Sequence, residues 1–222
     1  MGIPGRNLRR GNRGEAVQAV QRRLGVRPTG LFGPTTEARV LAFQRSRGLA
    51  PDGIVGPRTW AALFSQPPTL RTAALAEARR RIGVRERPPG SNSGPEVDAY
   101  LRRVGLGPGH FWCLAFVYYC VDEAARKRRT RNPLPKTASC SRLYRWAKAN
   151  GRLVTQPEPG DIFLCIGGET GHYHAGFVEG PVRGEHFPTV EGNSNAEGSA
   201  NGIGVFRRSR GRLVASCHYV RI

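Results

Sequence analysis

From residue 15 to about residue 150 the apolar positions recur at helical spacing. Val17, Val20 and Leu24 form one stripe, and Val40, Leu41 and Phe43 another. Trp60, Leu63 and Phe64 form a third. A helix is then predicted from Thr72, a capping residue, through Leu75, Ala78 and Ile82, with Gly83 as its stop. Pro95 opens the next, with Val97, Leu101 and Val104 on one side and Gly105 at its end. Cys113 stands where a Pro-Gly loop gives way to Leu114, Val117 and Val121, with Phe116 and Cys120 alongside. Ser139 to Asn150 gives a further helix with Leu143, Trp146 and Ala147 inward. The pattern then changes to short β-rich runs between Gly, Pro and Asn turns: 161–166, 174–178, 189–191, 203–206 and 217–222. Helices first and a meandering antiparallel sheet later predict an α+β fold.

The first 64 residues contain a repeat. Pro28-Thr-Gly-Leu-Phe-Gly-Pro-Thr-Thr-Glu37 recurs 23 residues later as Pro51-Asp-Gly-Ile-Val-Gly-Pro-Arg-Thr-Trp60. Each copy reads as a turn followed by a helix start. The segment holds no Cys or His, so binding suits it better than catalysis. Core packing is the reading for Phe43, Trp60 and Phe64. Pro67 and Pro68 stiffen a short linker. The predicted organisation is a helical domain over 1–66, a linker over 67–71 and a second domain over 72–222.

Composition adds an electrostatic statement. The 222 residues carry a formal net charge of +19, nearly all from arginine, spread over both halves. That favours a polyanionic partner through long-range attraction: nucleic acid, anionic membrane or anionic cell wall. A nucleic-acid reader more often concentrates its charge on one element, so no specific nucleic acid is expected. No apolar run reaches the length of a membrane span. No signal-peptide pattern precedes the arginine-rich start, so synthesis in the cytoplasm and export by another route are expected. The five cysteines (113, 120, 140, 165 and 217) make no Cys-x-x-Cys pair. Reduced thiols are the expectation, with packing roles for Cys120, Cys140, Cys165 and Cys217.

Cys113 is the exception. A thiol in the first turn of a helix feels unpaired backbone N–H groups and the positive end of the dipole, both of which favour the thiolate. The alternative is a small buried hydrophobe. A cysteine nucleophile needs a base, and the base needs an orienting group. His172 and His174, two apart in Gly171-His-Tyr-His-Ala-Gly-Phe-Val178, are the strand candidates for the base. Glu191 and Asn193, in Val190-Glu-Gly-Asn193, offer a carboxylate and an amide to orient it. His110 either lines the groove or lies on a turn surface. Asp161 reads as a cap or turn leading into its strand.

Two resemblances sharpen this. Leu8-Arg-Arg-Gly-Asn-Arg-Gly-Glu-Ala-Val17, Val20-Gln-Arg-Arg-Leu24, Gly30-Leu-Phe-Gly-Pro-Thr-Thr-Glu37, Phe43-Gln44 and Gly48 to Trp60 resemble the peptidoglycan-binding family of three-helix modules. Residues 72–222 resemble the CHAP family, cysteine- and histidine-dependent amidohydrolases and peptidases acting on peptidoglycan. The segments that carry the likeness are Gly83-Val-Arg-Glu86, Asn92 to Tyr100, Trp112-Cys-Leu-Ala-Phe116, Pro159-Gly-Asp161, His174-Ala-Gly-Phe-Val178 and Glu191-Gly-Asn193. The resemblance implies a small three-helix bundle joined to a papain-like α+β domain. It implies Cys113 as nucleophile, His174 as base and then acid, Glu191 as its orienter and Asn193 as a fourth polar member. His172 then falls to the rim. His110, Trp112, His172, Glu86 and Asn92 are candidates for contact with substrate. For Glu86 and Asn92 a second role, tying down the loop before Pro95, stands equally.

The expected activity is hydrolysis of an amide bond of peptidoglycan by an endolysin-like enzyme, preferably as an N-acetylmuramoyl-L-alanine amidase. A peptide-bridge endopeptidase of the same fold is the alternative. So is a non-catalytic cationic protein binding wall or nucleic acid. The segment 101–112 has no Asp or Glu, unlike the calcium-holding loop of some relatives, and no His-Glu-x-x-His spacing occurs. Neither metal nor cofactor is expected. The expected partner is bacterial peptidoglycan, with attraction to anionic outer membrane or wall polymers. A monomer acting on the wall after release completes the reading.

Overall fold

The computed structural model describes residues 7–64, 68–167, 173–195, 202–211 and 217–222. The chain divides into two compact units, Met1–Pro67 and Pro68–Ile222.

In the first unit, α1 (Glu15–Arg23), α2 (Pro34–Ser46) and α3 (Pro57–Phe64) enclose Val17, Val20, Val40, Trp60 and Leu63, closed by Leu8, Phe32 and Val55. The repeat is realised in space. Prolines 34 and 57 open equivalent helices, where a missing N–H costs nothing. Each copy is tied by one buried glutamine. The Gln21 side chain donates to Thr29 Oγ1, the Leu31 carbonyl and Thr36 Oγ1, and accepts from the Gly30 N–H. Gln44 repeats this with Asp52, Ile54, Thr59 and Gly53. Phe43 is only partly buried, and Phe64 is 40% exposed and stacks on Trp60, so neither fills the core as expected. The apolar stripe is simply wider than the three-helix core it faces.

In the second unit, α4 (Leu70–Arg79), α5 (Pro95–Val104), α6 (Cys113–Lys127) and α7 (Cys140–Ala149) precede β1 (Leu153–Val154), β2 (Ile162–Cys165), β3 (His174–Val178), β4 (His186–Ser194), β5 (Gly204–Gly211) and β6 (Cys217–Val220). The strands form one antiparallel sheet in the order β1-β6-β2-β3-β4-β5. The fold is α+β. Helix α6 lies against β3 and β4, with α4 beside it also touching those strands and α5 packed on α6. Ile162, Leu164, Ala175, Phe177, Val190 and Val220 join the helical core, while Phe163, Cys165, Val178, Phe187 and Tyr219 pack on the other face.

The structure departs from the predicted boundaries at α4. The N-cap is Thr69, whose Oγ1 accepts from the Thr72 N–H at 3.2 Å, so the helix starts two residues before Thr72. It also stops early. The Gly83 N–H bonds the Val205 carbonyl and the Glu86 N–H bonds Ile203, so this segment joins the start of β5 and leaves Ile82 37% exposed. Arg71, inside the predicted linker, pairs with Glu158 and with the buried Asp161, which also takes Arg221. Asp161 additionally accepts from the Glu158 N–H, closing the turn into β2.

One cysteine expectation is overturned. Cys165 and Cys217 are joined in a disulfide. They are direct cross-strand partners in the β2–β6 register, with Cα atoms 4.2 Å apart, and reduced packing roles fail for that geometric reason. Cys113, Cys120 and Cys140 are free and buried.

Candidate functional site

Helix α6 begins at Cys113 without a capping side chain; Trp112 stands at the N-cap. The first-turn N–H groups therefore have no partner within the helix. The Trp112 backbone N–H is taken by Asn193 Oδ1 at 3.2 Å, and the Asn193 amide donates to the Gly202 carbonyl at 2.7 Å. Asn193, at φ 53°, thus fastens the end of β4 to the mouth of α6. Gly192 permits that approach: a Cβ there would lie 2.7 Å from Phe116 and 2.8 Å from Trp112.

Cys113 is buried, at 5% exposure. The adjoining Cys140 thiol, then the His174 ring and the Ala175 N–H, hold it well below the ordinary thiol range against the opposing effect of burial. Cys140 moves the other way, because it donates to the sulfur beside it. Cys120, one heptad further into α6, is pushed up, chiefly by burial and with smaller contributions from Glu77 and Glu123, against the opposing pull of Arg81.

His174 opens β3 and is 2% exposed. Its Nε2 lies 3.0 Å from Glu191 Oε2. Its Nδ1 is buried, and the Cys113 sulfur is the neighbour that acts on the ring. Burial alone would lower the imidazole pKa, but Cys113 and Glu191 together raise it to about 9. Glu191 is wholly buried and receives donors from all sides. Oε1 accepts from Thr189 Oγ1 at 2.6 Å and Arg210 Nε at 2.5 Å. Oε2 accepts from Ser194 Oγ at 3.2 Å and Arg210 Nη2 at 2.7 Å. Burial pushes its carboxyl up, but the His174 and Arg210 contacts outweigh that and hold it well below the usual carboxylate range.

Gly176 explains the spacing of the histidine motif. A Cβ at Gly176 would lie 2.6 Å from Phe163 and 3.0 Å from the Glu191 Cγ. The glycine leaves the lane along which Glu191 crosses from β4 towards His174.

The structure therefore brings Cys113, His174 and Glu191 together, with Asn193 one step removed. The other candidates scatter. Trp112 is fully buried and donates its indole N–H to Glu86 Oε1 at 2.8 Å. Both side chains are buried at the base of α6, which suits the tying role that stood beside substrate contact for Glu86. The Asn92 carbonyl accepts from the Gly109 N–H, tying the 85–94 loop to the loop before α6. His110 is exposed on that loop. His172 lies outside the described residues. Sequence reasoning missed Cys140, Thr189, Ser194 and Arg210. It also missed Phe111 and Tyr173, 63% and 51% exposed, which flank Cys113 and His174 in the chain. Exposure of two aromatics beside the reactive pair was not visible in periodicity.

A thiol held towards its ionised form beside an imidazole, at the start of a helix, is an arrangement that can serve covalent acyl transfer. Among the described residues no group of three or more His, Cys, Asp or Glu is placed to hold a metal ion. Among them, also, no helix is long and apolar enough to cross a membrane.

Residues 13–63 match a family model described as a putative peptidoglycan binding domain. Among solved structures, the chain is similar to the Burkholderia AP3 phage endolysin at 37% identity, over 36% of this chain and 34% of that one, with a TM-score of 0.27. It is also similar to Ly7917 at 15% identity, over 68% of this chain and 62% of that one, with a TM-score of 0.40. The chain thus spans about a third of the first structure and less than two thirds of the second. Comparison with curated proteins gives no match.

Proposed function

We propose that this protein is an endolysin-like peptidoglycan hydrolase that cuts an amide bond of the bacterial cell wall by cysteine nucleophilic catalysis, with the N-acetylmuramoyl-L-alanine linkage as the preferred bond. The observation that carries the reading is the row Cys113, His174, Glu191, in which the thiol is poised to ionise and the imidazole to hold its proton. The peptidoglycan-binding likeness of residues 13–63 supports the polymer as substrate. So does the CHAP-like set of motifs in the second unit.

The Cys113 thiolate attacks the amide carbonyl, and the oxyanion is stabilised by backbone N–H groups at the start of α6. The His174 imidazolium then gives its proton to the leaving amine and the C–N bond breaks. His174 next takes a proton from water, which attacks the thioester; the C–S bond breaks, the acyl group leaves as the acid and the thiolate–imidazolium pair is restored. Glu191 holds the ring and its charge throughout. The first unit keeps the enzyme on the wall and raises the local substrate concentration. The protein acts as a monomer, on the wall, after release from the cell that makes it.

Clearing of purified sacculi by the full chain and by Cys113→Ala tests this. The variant is expected to lose clearing by about three orders of magnitude or more. Unchanged clearing overturns the enzyme reading in favour of a cationic wall-binding protein. Mass spectrometry of the released muropeptides decides the bond: free lactyl groups with intact stems mean amidase, and cut stems or bridges mean endopeptidase.

A further inference from the structure

Arg210 is not part of any motif in the chain, yet it makes the closest contact to Glu191. Its guanidinium takes both carboxylate oxygens, Nε to Oε1 at 2.5 Å and Nη2 to Oε2 at 2.7 Å. Oε2 is also the atom that meets His174 Nε2. A fork of two parallel bonds fixes the plane of a carboxylate, whereas the single hydroxyls of Thr189 and Ser194 leave it free to turn. The fork is itself held. Arg210 lies over the Phe163 ring at 5.1 Å, and that ring is 6.0 Å from the His174 ring. Arg210 faces Phe187 in the β4–β5 register and so lies on the Glu191 face of the sheet.

We propose that Arg210 is a positioning residue of this site, fixing the Glu191 carboxylate against His174 and supplying the counter-charge that makes the row thiolate, imidazolium, carboxylate, guanidinium neutral. The proposal rests on the reading of Cys113 and His174 as the reacting pair. Without Arg210 the remaining three groups carry a net negative charge in a buried place, which is unfavourable. Removing a nearby cation makes each of them hold its proton more tightly, so all three titrations move to higher pH. Among the described residues, Glu191 makes no ion pair besides those with His174 and Arg210. Glu191 is faced by His174 from β3, by Arg210 from β5 and by Thr189 and Ser194 from its own strand. The next residue of β4, Gly192, faces the Phe116 and Trp112 side chains of α6, and from β2 the Phe163 ring lies with the Glu191 side chain beside Gly176. Cys113 is faced by His174 and Cys140. The β2 partner of His174 is Cys165, which is disulfide-bonded and does not titrate. The Glu179 pair with Arg207 and Arg79 belongs to the opposite face, since Arg207 stands across from Val190.

The test uses the full chain with Arg210→Met, Arg210→Gln and Arg210→Lys. Two pH profiles are read for each: alkylation of Cys113 by iodoacetamide, followed by mass spectrometry of the Cys113 peptide, and clearing of sacculi. Met and Gln are expected to move the alkylation limb and both limbs of the clearing profile to higher pH. They should lower clearing at neutral pH by about tenfold to a hundredfold. Lys is expected to return the limbs to their wild-type positions while restoring only part of the rate, because it supplies the charge without the fork. Should Met fail to fold, Gln against Lys gives the same comparison. Lost clearing with unmoved limbs, or Lys no better than Gln, overturns the proposal and leaves a merely structural arginine. The outcomes also separate the two readings. Wild-type protein that still clears sacculi after full alkylation of Cys113 overturns the proposed function. Clearing abolished by alkylation, with unshifted limbs in Arg210→Gln, overturns only the role of Arg210.

Discussion

At the scale of the residue, the protonation states of two side chains decide what the site can do. His174 is buried, which disfavours its charged form, and only the sulfur on one side and the Glu191 carboxylate on the other raise it to about 9. The sign follows. An imidazolium that must donate to a leaving amine is present below that pKa and disappears as pH rises through it. The basic limb of kcat/KM for wall hydrolysis is therefore expected near pH 9, well above the ordinary imidazole value. A profile measured on sacculi that falls off near pH 6.5 would contradict this. The motif residues were legible because each has a local signature: a cysteine at a helix start, a histidine two before a glycine, a glutamate before Gly-Asn. Arg210 was not, because three of the residues from Arg207 to Arg210 are arginines. Choosing among them needs the β4–β5 register, which shifts between Glu191 and Ser194. Cys140 was not legible either, since its place beside Cys113 depends on how α7 docks.

At the scale of the element, the site is the junction of the α6 mouth with the β3 and β4 strands, and glycines set how close they come. Gly192→Ala would press a methyl group against Phe116 and Trp112 at under 3 Å, in a core with no slack. A loss of about 1–3 kcal/mol in urea unfolding is expected, with the α6 mouth displaced and activity reduced. The same adjacency of strands produces the disulfide. Titration of the unfolded, unreduced protein with a thiol reagent is expected to count three thiols, and five after reduction. The helical and strand pattern announced these elements to within a few residues, apart from the short β1 and the early end of α4. Both exceptions have one cause: backbone pairing with distant segments, Val220 and Tyr219 for β1 and Val205 for the α4 exit, replaced local preference.

At the scale of the whole molecule, the charge of +19 acts on association. Arg221 is drawn in towards the buried Asp161, while Arg207 and Arg10, though paired with Glu179 and Glu37, keep most of their side chains in solvent. Exposed charge is screened within about 10 Å at 0.1 M salt. Co-sedimentation of the Cys113→Ala protein with intact sacculi is accordingly expected to weaken as sodium chloride rises from about 0.05 to 0.5 M. Binding that is indifferent to salt would place recognition in uncharged contacts of the first unit.

By itself the sequence determined the order of helices and strands, the repeat of the first unit and, for the site, a cysteine at a helix start with His172 or His174 as its base and Glu191 or Asn193 to orient it. Those follow from periodicity, turn chemistry and short-range motifs, all carried within a few residues of each other. Only the tertiary structure decided that two buried glutamines knot the repeat. It alone paired Cys165 with Cys217, set Cys140 beside Cys113, turned Trp112 and Glu86 inward and laid Arg210 across Glu191. Each of those depends on strand register or helix docking, in which residues far apart along the chain become neighbours.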